Sequence, residues 1–276
     1  MSDWKVTKQD VEKIKANSLK KFSNLFECAS ISDSQLFQPC LPTNLEYIST
    51  HFESLDHLLG GGFAFGHVSE IYGDVGTGKT QLCAQLLASY CINAYTEQCN
   101  RSVIYIDTEN GFVSNRLQEI VKSFHKTADL GHVLGKIYFK IVLKAEKLVE
   151  LISDLPGILN KSPEIRMIII DSIAAPFWRH LNDNKQHTGL VVKCGLDLVN
   201  IAIEHDVCII VTNRIRYAAL KVGKQLPSLG DYWSHVPNLR LYLAQERQER
   251  TATIVKSFNN SRGSVKFQIN SNGFSL

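Results

Sequence analysis

The sequence predicts an α/β fold with a mostly parallel central sheet, on three observations. Two continuous apolar runs, Met167-Ile168-Ile169-Ile170 and Val207-Cys208-Ile209-Ile210-Val211, have the make-up of strands buried on both faces. Strand patterns alternate with helical ones from Val68 to Val211. A glycine-rich turn, Gly73-Asp74-Val75-Gly76-Thr77-Gly78-Lys79-Thr80, stands between a strand pattern and a helical one.

The chain has 276 residues, 44% of them hydrophobic, which suits one large domain, or one domain with a small appendage. Net charge is +3, so any basic surface must be local. The seven cysteines are odd in number and scattered, with no C-x-x-C pair. That pattern suits a reducing compartment and inert thiols, and argues against a redox or structural metal centre. No apolar run approaches the ~20 residues of a membrane span, and the N-terminus is polar without an apolar leader core. An intracellular, soluble protein with no membrane partner is expected.

Residues 1–45 read as a short N-terminal helical segment and linker. Val11, Ile14, Leu19 and Phe22 recur at helical spacing among lysines, and Cys40-Leu41-Pro42-Thr43-Asn44 has linker composition. That helix suits either docking on a partner or contact with nucleic acid, or packing on its own domain with a solvated basic face. Residues 46–276 form the main domain. Its first helix, around Leu55-Asp56-His57-Leu58-Leu59, is stopped by three glycines. The first core strand is Val68 to Tyr72, followed by the glycine-rich loop and a helix with Leu82, Leu86 and Leu87 on its apolar face.

Ser102 to Asp107 is the next strand, and Phe112, Leu117 and Ile120 mark the helix after it. Ile137 to Val142 is a strand, and Ala145 to Leu155 a helix. The apolar run ending at Asp171-Ser172 is followed by a helix from Gly189 to Glu204. The run after it ends in Thr212-Asn213-Arg214. Leu239 to Leu243, Ala252 to Ser257 and Val265 to Ile269 are short strands in C-terminal β-hairpins.

The glycine-rich turn matches a P-loop, G-x-x-x-x-G-K-[ST], in the setting that motif requires. Its glycines let successive backbone N–H groups turn inward on a phosphate. A helix opening there adds the positive end of its dipole. Lys79 would reach the β- and γ-phosphates of a nucleotide, and the Thr80 hydroxyl would ligate Mg²⁺. Gly73, Glu109, Asp171 and Asn213 all fall at strand ends, where open α/β sheets bind ligands. Asp171 is the second Mg²⁺ anchor, and Glu109 is the candidate for orienting the attacking water. Arg214 to Gly230 carries Arg214, Arg216, Lys221 and Lys224, with no acid before Asp231. It suits either a polyanion track or a solvated loop.

Gly73 to Thr80, Tyr105-Ile106-Asp107-Thr108-Glu109, Ile170-Asp171-Ser172, Val211-Thr212-Asn213 and Leu229-Gly230-x-x-Trp233-x-His235 occur together in that order. This set resembles the RecA-like recombinase family of eukaryotes, over about Ile48 to Phe274. Pro176-Phe177-Trp178-Arg179-His180, Ala252 to Ser257 and Phe267-Gln268-Ile269-x-x-x-Gly273-Phe274 are most similar to the paralogue lettered C.

The resemblance implies a RecA-like P-loop ATPase core. Gly73, Asp74, Val75, Gly76, Thr77, Gly78, Lys79, Thr80 and Gln81 would hold ATP, with Arg116 near the adenine, Thr80 and Asp171 on Mg²⁺, and Glu109 on water. The segments after Asp171 and Asn213 would face DNA through Arg179, Arg214, Arg216, Lys221 and Lys224. It implies a nuclear protein of homologous recombination, mitotic or meiotic, that assists the main recombinase on single-stranded DNA. Its expected partners are that recombinase and other paralogues, in a hetero-oligomer, with weak DNA-dependent ATP hydrolysis. The alternative is a non-catalytic, ATP-bound scaffold subunit of a paralogue complex.

The chain departs from the family pattern in four places. Arg214 stands where the family has the Gln that senses γ-phosphate, and Asn110 where it often has Gly. Residues 1–45 are too few for the family's helical N-terminal DNA-binding domain. Phe52-Glu53-Ser54-Leu55 ends in Leu rather than the Ala of the F-x-x-A polymerisation peptide.

Overall fold

A computed structural model describes residues 46–178, 184–217, 225–259 and 261–276. The expected N-terminal helix lies outside the described residues. The first elements are β1 (Tyr47–Ile48), α1 (Glu53–Leu59), β2 (Phe63–Ala64), β3 (Val68–Gly73), α2 (Lys79–Thr96), β4 (Ser102–Asp107) and α3 (Ser114–Phe124). Then come α4 (Leu130–Leu134), β5 (Ile137–Ile141), α5 (Ala145–Lys161), β6 (Ile165–Asp171), α6 (Ala175–Trp178) and α7 (Asn184–Glu204). The last are β7 (Cys208–Tyr217), β8 (Gln225–Pro227), α8 (Gly230–His235), β9 (Leu239–Glu246), β10 (Glu249–Lys256), β11 (Gly263–Asn270) and β12 (Gly273–Ser275).

Among the described residues the main sheet runs β12-β11-β10-β9-β3-β7-β6-β4-β5, with β8 paired to β7 off this path. From β9 to β5 every neighbouring pair is parallel. β10, β11 and β12 extend the sheet antiparallel, as the hairpin reading expects. β3 therefore sits inside the sheet, between β7 and β9.

Alternate residues of the apolar strands feed two cores. Val103, Tyr105, Met167, Ile169, Cys208 and Ile210 face α2 and α3. Ile104, Ile106, Ile168, Ile170, Ile209 and Val211 face α5 and α7. Leu82, Leu86 and Leu87 of α2 are fully buried. Each such side chain stabilises the fold by about 1.5–3 kcal/mol. Phe52 and Leu55 are buried in the first core, which makes Phe52-Glu53-Ser54-Leu55 part of the domain.

Three boundaries differ from the expectation. α5 continues past Leu155 through Pro156 to Lys161. Burial of Ile158 and Leu159 offsets the backbone hydrogen bond that the proline removes. α7 begins at Asn184 rather than Gly189. β7 does not stop near Val211 but runs to Tyr217, because β8 returns antiparallel beside it and pairs Ile215 with Pro227. Asn213 is thus inside a strand rather than at its tip, and Arg214 and Arg216 are strand residues rather than loop residues. Arg179, Lys221 and Lys224 lie outside the described residues.

Candidate active site

β3 ends at Gly73 beside Leu243 of β9. A Cβ on Gly73 would stand 2.3 Å from the Leu243 carbonyl oxygen, so no larger residue fits there. Gly78 has φ 109° and a Cβ there would meet Ile269 Cδ1 at 2.7 Å. Gly78 is the N-cap of α2, which starts at Lys79. The first N–H groups of α2 have no acceptor within the helix, which makes this end an anion cradle.

The loop between them is tied to itself. Thr77 Oγ1 donates to the Asp74 carbonyl at 2.9 Å, and the Val75 N–H donates to Asp74 Oδ1 at 2.8 Å. Lys79 Nζ donates to the carbonyls of Gly73 (2.9 Å) and Asp74 (2.7 Å), which folds its ammonium back across the loop. Burial holds that ammonium below its ordinary pKa, although the Asp171 and Glu109 carboxylates act the other way.

Asp107 ends β4 and builds the turn that presents Glu109. Its Oδ1 accepts the N–H groups of Glu109 (3.0 Å), Asn110 (2.7 Å) and Gly111 (3.3 Å), and its Oδ2 that of Phe112 (3.0 Å). Asn110 takes φ 58°, a left-handed conformation that Asn tolerates, so its replacement of Gly leaves the turn intact. Thr108 Oγ1 donates to the Ser172 carbonyl at 2.6 Å and accepts the Ser172 N–H at 2.8 Å, which locks the ends of β4 and β6 together.

Glu109 then meets two donors from other strands. Ser172 Oγ donates to Oε1 at 2.9 Å. Arg214 donates from Nε to Oε1 (3.1 Å) and from Nη2 to Oε2 (2.5 Å). Burial pushes the Glu109 carboxyl up, but the Arg214 and Ser172 hydrogen bonds and the Arg214 charge outweigh it and hold it below the ordinary carboxylate value.

Asp171 ends β6 and is 7% exposed. Its carboxylate accepts from Tyr105 (3.0 Å) and from Thr212. Burial pushes its pKa up, against hydrogen bonds from Thr212, Thr80 and Tyr105. The Thr80 hydroxyl and Asp171 are thus neighbours. Two hard oxygen donors at the mouth of an anion cradle form a donor set that fits Mg²⁺ beside phosphates.

These parts share one open cavity of about 670 Å³. Val75, Gly76, Gly78, Lys79, Thr80, Gln81, Glu109, Arg116, Asp171 and Arg214 line it, so Arg214, which the sequence reading assigns to a DNA-facing segment, stands in the same cavity as the phosphate loop. Gly73, Asp74 and Thr77 do not; they shape the loop from behind. Arg116 reaches the cavity from α3 with every hydrogen-bonding edge engaged. It donates to Gln81 Oε1 (2.7 Å), Glu119 Oε2 (3.1 Å) and the carbonyls of Ser271 (2.8 Å) and Asn270 (2.5 Å). Arg216 is exposed on β7, apart from the cavity.

The sequence reading misses Arg250, Ile269, Asn270 and Ser271, which close the cavity from the C-terminal sheet. It also misses Asp107, Ser172, Tyr105 and Thr212. Asp107 had a signal, since Asp followed by Thr-Glu-Asn-Gly is turn chemistry. The others carry no local signal.

Behind the loop, Glu70 of β3 is fully buried. Its Oε1 accepts from Asn213 Nδ2 (2.7 Å) and Trp233 Nε1 (2.6 Å). Its Oε2 lies 2.6 Å from Arg240 Nε, an ion pair whose atoms sit off hydrogen-bond alignment. This cluster fastens β3, β7, α8 and β9 under the phosphate loop.

The family model described as Rad51 matches residues 43–275. A DNA repair protein RAD51 homolog 3 from Cricetulus griseus is 29% identical over 251 residues, covering 83% of this chain and 68% of the relative. One from Dictyostelium discoideum is 26% identical over 260 residues, covering 87% of this chain and 68% of the relative. With an α/β core built on a mostly parallel sheet and C-terminal antiparallel hairpins, and with that match over almost the whole described chain, the chain belongs to the Rad51 family of RecA-like recombinases.

Proposed function

We propose that this chain is an ATP-binding recombinase paralogue acting in homologous recombination and double-strand break repair, beside other family members on single-stranded DNA in the nucleus. The observation that carries the reading is the convergence of Lys79, Thr80, Glu109 and Asp171 on one cavity at the carboxyl ends of β3, β4 and β6. The backbone of residues 75–80 binds phosphate, and Lys79 neutralises its charge. Thr80 and Asp171 would hold Mg²⁺, which when bound supplies further neutralisation of phosphate charge. Glu109 orients a water for in-line attack when its carboxylate is free to accept from it. DNA contact rests on the exposed Arg216 and, outside the described residues, on Arg179, Lys221 and Lys224.

One observation favours the scaffold reading, in which ATP is a structural ligand between paralogues. Arg214 already occupies both Glu109 oxygens. The test is ATP turnover of the purified chain with and without single-stranded DNA, beside Lys79→Ala and Glu109→Gln. DNA-stimulated turnover abolished by both substitutions supports the enzyme. ATP binding without turnover supports the scaffold, and no ATP binding overturns both.

A further inference from the structure

Four cationic side chains line the nucleotide cavity, and three have partners. Lys79 donates to two backbone carbonyls, Arg116 to four acceptors and Arg214 to Glu109. Arg250 differs. Its Nε is buried and has no hydrogen-bond partner, and it forms no ion pair among the described residues. That Nε is shielded and is not itself open to a ligand, but the side chain borders the cavity, so an anion there can pair with the permanent charge of the guanidinium through its other N–H groups.

The strand register shows how Arg250 comes to be there. It lies on β10, opposite Gln245 of β9 and Phe267 of β11. Ala252 and Ile254 share its face of the strand and are buried in the core that carries α2. Arg250 stands one pair further along that face, where the core opens into the cavity. Ile269, two residues along β11 from Phe267, touches the space beside Gly78. Arg250 thus belongs to the wall that Phe267 and Ile269 form against Gly78, whereas Glu109, Asp171 and Arg214 stand at the strand ends.

We propose that Arg250 is a nucleotide ligand that binds the diphosphate portion of the bound nucleotide, supplied by this chain to its own site. The proposal rests on the nucleotide reading of the cavity. A planar guanidinium can bridge two phosphate oxygens. Because the group faces the diphosphate, ADP and ATP should depend on it alike.

The test is equilibrium binding of a fluorescent methylanthraniloyl-ADP, with unlabelled ADP and ATP as competitors, to wild type, Arg250→Gln, Arg250→Lys, Lys79→Ala and Arg247→Gln. Arg247 is exposed in the turn of the same hairpin and controls for loss of charge. Arg250→Gln should weaken ADP and ATP by about tenfold each, the scale of one charge-assisted contact. Arg250→Lys should weaken both severalfold, since it lacks the fork, and it decides the matter if Arg250→Gln does not fold. Arg247→Gln should bind as wild type does. Wild-type binding that Lys79→Ala loses and both Arg250 variants keep overturns this proposal and leaves the nucleotide reading standing. Weakening of ATP alone overturns the diphosphate assignment. No binding by wild type overturns the nucleotide reading and this proposal with it.

Discussion

Arg214 grips Glu109 through two hydrogen bonds, Nε to Oε1 at 3.1 Å and Nη2 to Oε2 at 2.5 Å, while Ser172 Oγ donates to Oε1 at 2.9 Å. β6 lies between β4, which leads to Glu109, and β7, which carries Arg214, so the contact reaches across the end of β6 and over Asp171. A guanidinium fork matches a carboxylate better than a water does, and it lowers the basicity of the group it holds. The residue proposed to orient water is thereby engaged elsewhere.

Arg214→Gln should therefore raise ATP turnover, up to about 100-fold if it frees a fully positioned general base. Steady-state phosphate release measures it, and the double variant with Glu109→Gln should return to the basal rate. A fall in turnover for Arg214→Gln would instead place the guanidinium on the phosphate in the reaction itself.

The same pair should show in the pH dependence of stability. The folded-state pKa of Glu109 lies below its ordinary 4.5. Its stabilisation is therefore fully present above that ordinary value and is lost as pH falls through the lowered one. Urea unfolding of wild type and Glu109→Gln should differ most near neutrality, and the difference should shrink as pH falls below 4.5. A constant difference down to pH 3 would show that the ionised carboxylate adds nothing.

Gly73→Ala tests the close approach of β3 and β9. The new Cβ would meet the Leu243 carbonyl oxygen at 2.3 Å, and that oxygen belongs to the backbone of a neighbouring strand. A loss of about 3 kcal/mol in urea unfolding is expected, together with loss of ADP binding. Wild-type behaviour would mean that β9 shifts freely.

Glu70→Ala tests the cluster behind the loop. It leaves the Arg240 side chain, only 11% exposed, without its carboxylate. Breaking a buried pair on one side costs about 3–5 kcal/mol. Removing both partners, as Glu70→Leu with Arg240→Leu, should cost less. Calorimetric or urea unfolding of the two variants gives the comparison, and equal losses would show that the pair itself is unimportant.

Much of this architecture was legible in the chain. Ile168 and Ile209 announced buried parallel strands because such strands must be apolar on both faces. The phosphate loop was legible because its chemistry lies within eight consecutive residues, Gly73 to Thr80. Asp171 and Glu109 were legible because each follows an apolar strand, where such sheets bind ligands. The end of β7 was not. Gln225-Leu226-Pro227 has the composition of a loop, and it becomes a strand only because Ile215 to Tyr217 lie beside it. Pro156 likewise reads as a breaker, and the core face of α5 overrides it.

The sequence by itself determined the fold class, the phosphate loop and the Rad51-family resemblance, since these depend on periodicity and on residues close in the chain. The tertiary structure alone decided which partners those residues meet. Arg214 is separated from Glu109 by 105 residues, and Asn213 from Glu70 by 143. Arg250 reaches the cavity only because β9 joins β3 in parallel and carries β10 with it. Side-chain pairing across strands depends on register, and register is a property of the assembled sheet rather than of any one strand.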